Sequence, residues 1–133
     1  MAWGSVKSLD QRSLDGTYFI LEDSAVDYEE TLNPGEIAQI VFDYNYTVVT
    51  TTEDGWCDIL IETTLDGTTY ESEDKARRIL LTTVDDPDIQ SVTVTGVYGF
   101  RIKARLRDND DTAWSGDDTA TLDCDIRKDG VSI

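Results

Sequence analysis

Tyr98-Gly99-Phe100-Arg101-Ile102-Lys103-Ala104-Arg105-Leu106-Arg107 decides the fold. After Gly99, apolar and basic residues alternate without a miss. Tyr98, Phe100, Ile102, Ala104 and Leu106 share one face, and Arg101, Lys103, Arg105 and Arg107 share the other. Strict period two over this length specifies a β-strand with one buried face. A helix would scatter the four cations around its circumference.

The same alternation recurs along the chain. Four Asp-Gly pairs (15–16, 54–55, 66–67 and 129–130) and Asn33-Pro34-Gly35 punctuate the alternating segments, which is turn chemistry for an all-β protein. Strands are expected near 24–32, 36–46, 57–65, 68–73, 79–84, 89–95, 98–107 and 118–127. The inward sets are Ala38, Ile40, Phe42, Tyr44 and Tyr46; Cys57, Ile59, Ile61, Thr63 and Leu65; and Ala120, Leu122, Cys124 and Ile126. Asp66-Gly67 should close a tight hairpin. Glu71 to Arg78 runs from acids to bases and allows at most about one helical turn.

The 133 residues suit one domain with a real core, and 39% hydrophobic with 29% charged residues marks a globular chain. No apolar run approaches the ~20 residues needed to span a bilayer. Residues 1–14 lack the continuous apolar core of a signal peptide, so export by that route is not expected. Eleven Lys and Arg against 28 Asp and Glu give a net charge of −17. Such a field repels phosphate backbones and anionic lipid, so neither nucleic acid nor membrane is an expected partner.

The chain divides into an arm, 1–23, and a sandwich domain, 24–133. Trp3, Leu9, Leu14 and Tyr18-Phe19-Ile20-Leu21 are too apolar for a mere tag. Two fates are open: part of the arm packs back on its own domain, or it reaches a neighbouring subunit, with Trp3, Val6, Leu9 and Leu14 as assembly contacts. An edge strand such as 24–32 offers a second route, by strand addition between chains.

Catalysis finds no support. The chain has no His, hence neither the usual general base nor the commonest metal ligand. Among 28 acids no carboxylate pair stands out. An enzyme is not expected, nor a cofactor. Calcium is the cation that Asp108-Asn109-Asp110-Asp111-Thr112, Asp117-Asp118 and Asp85-Asp86-Pro87-Asp88 would suit. However, Ala113 stands where an EF-hand loop turns on Gly, and Thr119 where it uses Glu. A solvated acidic loop is therefore favoured over a calcium site. Asn45-Tyr46-Thr47 matches a glycosylation acceptor, but it falls inside an expected strand and is read as chance.

Tyr98 opening its strand, with Trp114-Ser115 ahead of the last one, resembles the sixth-strand region of fibronectin type III and related immunoglobulin-like sandwiches. Thr95-Gly96-Val97 replaces the usual Leu-x-Pro lead. The resemblance covers roughly residues 24–127 and implies a two-sheet antiparallel sandwich of seven to eight strands, without implying an activity. In that strand order the Cys57 and Cys124 strands share a sheet with the Tyr98 strand between them. Two steps of ~4.8 Å exceed the ~7 Å Cα limit for a bridge, so free, buried thiols are expected. The same order flanks the basic row with Asp58 and Glu62 on one side and Asp123 and Asp125 on the other. Cross-strand neutralisation is therefore preferred to a polyanion site.

A second resemblance is to small structural proteins of tailed bacteriophages. It is carried by Leu32-Asn33-Pro34-Gly35-Glu36, by Leu65-Asp66-Gly67-Thr68, and by Arg127-Lys128-Asp129-Gly130-Val131. It implies a non-enzymatic virion protein, assembled in the host cytoplasm, that decorates or cements a capsid or tail. Its partners would be capsid or tail subunits and further copies of itself, in a homo-oligomer. The alternative is a receptor- or glycan-binding module using Trp3, Trp114 or Tyr70 as stacking platforms.

Overall fold

The computed structural model describes residues 6–47, 55–81, 88–107 and 119–129. They form twelve strands and no helix. Six short strands come first: β1 (Lys7–Ser8), β2 (Arg12–Ser13), β3 (Phe19–Ile20), β4 (Glu22–Asp23), β5 (Val26–Asp27) and β6 (Glu29–Thr31). Six longer ones follow: β7 (Ile37–Thr47), β8 (Trp56–Thr64), β9 (Arg77–Leu81), β10 (Asp88–Thr95), β11 (Gly99–Arg107) and β12 (Thr119–Asp129).

Two antiparallel sheets pack face to face. The first runs β1-β12-β7-β10, with β2 also on β12; the second runs β3-β11-β8-β9, with β6 also on β11. β4 and β5 make a small separate hairpin. The all-β chain expected from the alternation, and the two-sheet antiparallel sandwich that the resemblance implied, are what the described residues form. Its connections pass from sheet to sheet at almost every step, the wrapping of a double-sheet jelly roll. Between the sheets lies one core, including Ile40, Phe42, Tyr44, Ile59, Ile61, Phe100, Ile102, Leu106 and Leu122, each at most 1% exposed. Burying each such side chain contributes on the order of 1.5–3 kcal/mol before ordering costs.

One strand position differs from the immunoglobulin-like order. β12 lies beside β7 in the first sheet, while the place beside β11 is taken by β3 and β6. The alternation of Ala120, Leu122, Cys124 and Ile126 fits either sheet, so it does not select one. Asp123 and Asp125 consequently face Asp43 and Val41 rather than the basic row.

The N-terminal segment runs across both sheets. Leu9 N donates to Cys124 O, Leu14 N to Ala120 O, and Leu21 N to Ile102 O, at 2.9–3.0 Å. Gly99 lets β6 close on β11, because a Cβ there would run into the Glu30 carbonyl.

Three local expectations are corrected. Leu65 is 83% exposed rather than inward, because β8 ends at Thr64, whose Oγ1 accepts from the Asp66 and Gly67 amides. Residues 68–73 form no strand: only Tyr70 bridges Thr64, and Asp66 Oδ1 accepts from the Thr68 and Thr69 amides instead. Tyr98 precedes β11 and stands 47% exposed, its ring seated on Gly67, which holds φ at 84°. The Glu71–Arg78 stretch does make one turn, with Lys75 N and Ala76 N both donating to Ser72 O.

Candidate functional site

The basic row is spent within the molecule. On the outer face of the second sheet, Arg101 Nε donates to Glu62 Oε1 at 2.7 Å, and Lys103 Nζ lies 3.2 Å from Glu62 Oε2. Arg105 Nε lies 3.2 Å from Asp58 Oδ2, and Arg78 Nε 3.1 Å from Asp58 Oδ1. Asp58 and Glu62 are themselves buried, at 0% and 1%. Tyr18 donates its hydroxyl to Asp58, and burial followed by that bond pushes its pKa up. Aromatic rings cover the cations: Arg101 lies 4.3 Å from the Tyr70 centroid and Arg105 4.5 Å from that of Tyr18. Leu60, 1% exposed, is sealed beneath this layer. Neutralisation from β8 is therefore present, and Tyr70 is a lid on Arg101 rather than an open platform. Sequence reasoning found the Asp58 and Glu62 pairing but missed their burial. Alternation shows Asp58 and Glu62 on the outer face of their strand; what buries them is the pairing of β8 with both β11 and β9 and the side chains those strands lay over it, which alternation does not show.

The four expected assembly contacts separate. Leu9 (6%) and Leu14 (8%) are buried against the chain's own core, since the backbone pairs of β1 and β2 with β12 turn them inward. They are not available to a neighbour in this conformation. Val6 is 56% exposed. Trp3 lies outside the described residues, as do Trp114 and the acidic stretches 108–112 and 117–118. Val6 borders a shallow depression of about 220 Å³ on the outer face of the first sheet, lined also by Gln39, Val41, Asp125, Ile126 and Arg127.

Beside that depression the sheet ends at β10, which among the described residues pairs only with β7. This eight-residue edge carries Val92 and Val94 inward and Ser91, Thr93 and Thr95 outward. Gln39 Nε2 reaches Ser91 Oγ at 3.3 Å, so the edge and the depression are continuous. Residues 89–100, twelve in a row without Asp, Glu, Lys or Arg, are the longest uncharged run of the chain. Past Asp88, which opens the strand directly after Pro87 in sequence, the described edge carries no charged or proline guard of its own; Arg77 Nη1 reaches the Thr93 carbonyl at 2.9 Å.

Both cysteines are free and buried, Cys57 in the second sheet and Cys124 in the first. Their separation into different sheets replaces the same-sheet geometry expected above. Burial pushes the Cys124 thiol pKa up, which keeps it protonated and unreactive. Among the described residues no group of three or more His, Cys, Asp or Glu is placed to hold a metal ion.

No protein-family model and no curated protein matches the sequence. One solved structure, described as "Bacillus endospore appendages form a novel family of disulfide-linked pili", is similar over 96% of this chain and 88% of its own, at 16% identity and a TM-score of 0.48. That overlap falls short of establishing a common fold.

Proposed function

We propose that this chain is a non-enzymatic structural subunit of a virion, decorating or cementing a capsid or tail through protein–protein contacts, with copies of itself as direct neighbours. The observation that carries it is the β10 edge, uncharged from Ile89 onward and, among the described residues, paired only with β7. Two copies of net charge −17 repel one another, so a stable contact has to form where charge is lowest. Antiparallel pairing of β10 with β10 of a second copy, centred on Val92, would set Ser91 opposite Thr93. It would satisfy the open edge with backbone hydrogen bonds contributing about 0.5–1.5 kcal/mol each. The Arg77 guard would be displaced, exchanging one side-chain bond for a ladder.

The phage-like sequence motifs supply the virion setting, and a jelly roll is an architecture that viral shells also use, a likeness of fold alone. The test is light scattering coupled to size exclusion at about 100 µM, where micromolar contacts persist. The wild-type chain is expected above monomer mass, and the Thr93→Glu variant at monomer mass with unchanged circular dichroism. A wild-type monomer, or a variant of undiminished mass, would remove the support.

A further inference from the structure

One pole of the sandwich holds a second surface, independent of the β10 contact. The end of β6 and the β6–β7 loop supply Thr31, Leu32, Asn33, Pro34 and Gly35, and the β10–β11 loop supplies Gly96, Val97 and Tyr98; together they line a depression of about 590 Å³. Its walls are tied to each other. Leu32 N donates to Tyr98 O at 2.7 Å, Glu36 N donates to Asn33 O at 2.9 Å, and Asn33 N donates to Glu36 Oε1 at 2.9 Å. Gly35 and Gly96 hold positive φ, 82° and 77°, and a Cβ on Gly96 would meet nothing within 4 Å, so backbone is open to an approaching ligand.

The chemistry of this cradle is neutral, with Tyr98 its one aromatic ring. The Tyr98 ring is braced from one side by Gly67, where a Cβ would come within 2.8 Å of it, and nearly half of the residue stays in water. No charged side chain lines the depression. The nearest charges are consumed by one another: Lys128 Nζ lies 2.9 Å from Glu30 Oε1 and 3.8 Å from Glu36 Oε1. The Asn33 side-chain amide makes no hydrogen bond among the described residues, leaving a donor and an acceptor beside the ring.

A braced aromatic plate, a spare amide and exposed loop backbone suit a ligand with an apolar C–H face and a rim of hydroxyls. We propose that this pole binds an uncharged saccharide, with Tyr98 stacking on a sugar face and Asn33 bonding its hydroxyls. A net charge of −17 disfavours sulfated or carboxylated sugars. The absence of a deep apolar slot disfavours a hydrophobic peptide.

The test is amide-resolved NMR of the whole chain titrated with uncharged hexasaccharides: α-1,4-glucan, β-1,4-glucan, α-1,6-mannan and β-1,4-linked N-acetylglucosamine. At least one should shift the amides of Asn33, Gly35, Gly96 and Tyr98 with a Kd of roughly 0.1–10 mM. Tyr98→Ala should weaken it about tenfold and Tyr98→Phe should retain it, because the ring and not the hydroxyl stacks. Urea midpoints check that both variants fold. No shift with any of the four at ~10 mM, shifts unaffected by Tyr98→Ala, or preference for a sulfated hexasaccharide would each overturn the assignment.

Discussion

Reversing Arg105 tests whether the outer layer of the second sheet is a buried charge network or a free basic surface. Arg105 sits directly opposite Asp58 in the β11–β8 register, and its side chain is 16% exposed against 0% for Asp58. Arg105→Glu removes a charge-assisted hydrogen bond of about 1.5–3 kcal/mol. It also removes a guanidinium–ring contact with Tyr18 of about 0.5–1 kcal/mol. The new carboxylate then opposes Asp58, adding about 0.2–1 kcal/mol of repulsion. Arg78 still holds Asp58 at 3.1 Å, so a net loss of about 3 kcal/mol is expected rather than the full upper range. In urea denaturation, with m near 2 kcal/mol/M, the midpoint should fall by roughly 1.5 M. Arg105→Met, which keeps the stem over the sheet, should lose about half as much. Because Asp58 is fully buried, most of the Arg105→Glu loss should survive in about 1 M salt, where exposed pairs are screened out. Wild-type stability at low salt, or a loss abolished by salt, would refute the reasoning.

Three further outcomes follow from the geometry. Asp123 directly opposes Asp43 and also accepts from the Gln11 side-chain amide, so the like-charge pair is best relieved from the other side: Asp43→Lys should stabilise the protein by about 0.5 kcal/mol in the same urea assay, and a loss would contradict the Asp43–Asp123 pairing. Gly99→Ala should destabilise by about 1–3 kcal/mol, because the new methyl meets the Glu30 carbonyl of β6. Asp66 accepts from the Thr68 and Thr69 amides and the Thr64 hydroxyl, which holds its carboxyl well below the usual carboxylate range in the folded state. A depressed folded pKa stabilises fully above the unfolded value near ~3.9 and fades as pH falls towards the folded one. The stability gap between wild type and Asp66→Ala should therefore be level from about pH 5 upward and narrow in acid, as pH-resolved urea titrations can follow.

What was legible in the sequence was period, and what was not was neighbourhood. The alternation in 36–46, 57–65 and 98–107 located β7, β8 and β11, and with the turn residues it implied an all-β chain, while the two packed sheets were what the immunoglobulin-like resemblance implied. Alternation says which side chains face inward but not which strand lies alongside, so β12 was assigned beside β11 instead of β7. The short strands β1 to β4 span two residues each, too few to show a period. Their contribution became visible only as backbone bonds such as Leu9 N to Cys124 O. The candidate surfaces were not read from the sequence; the signal for the β10 edge, the uncharged run 89–100 in an acidic chain, is one of composition rather than of periodicity.

The central claim is that β10 meets a second copy edge to edge, and hydrogen exchange of the backbone amides of residues 88–95 tests it most directly. Exchange should be compared between about 5 µM and 500 µM protein, a range that brackets micromolar association. The account predicts that alternate β10 amides, those turned away from β7, gain protection with concentration, while β8 and β11, interior to the other sheet, do not change. Exchange in β10 that stays independent of concentration, or protection that rises in every strand alike, would contradict it.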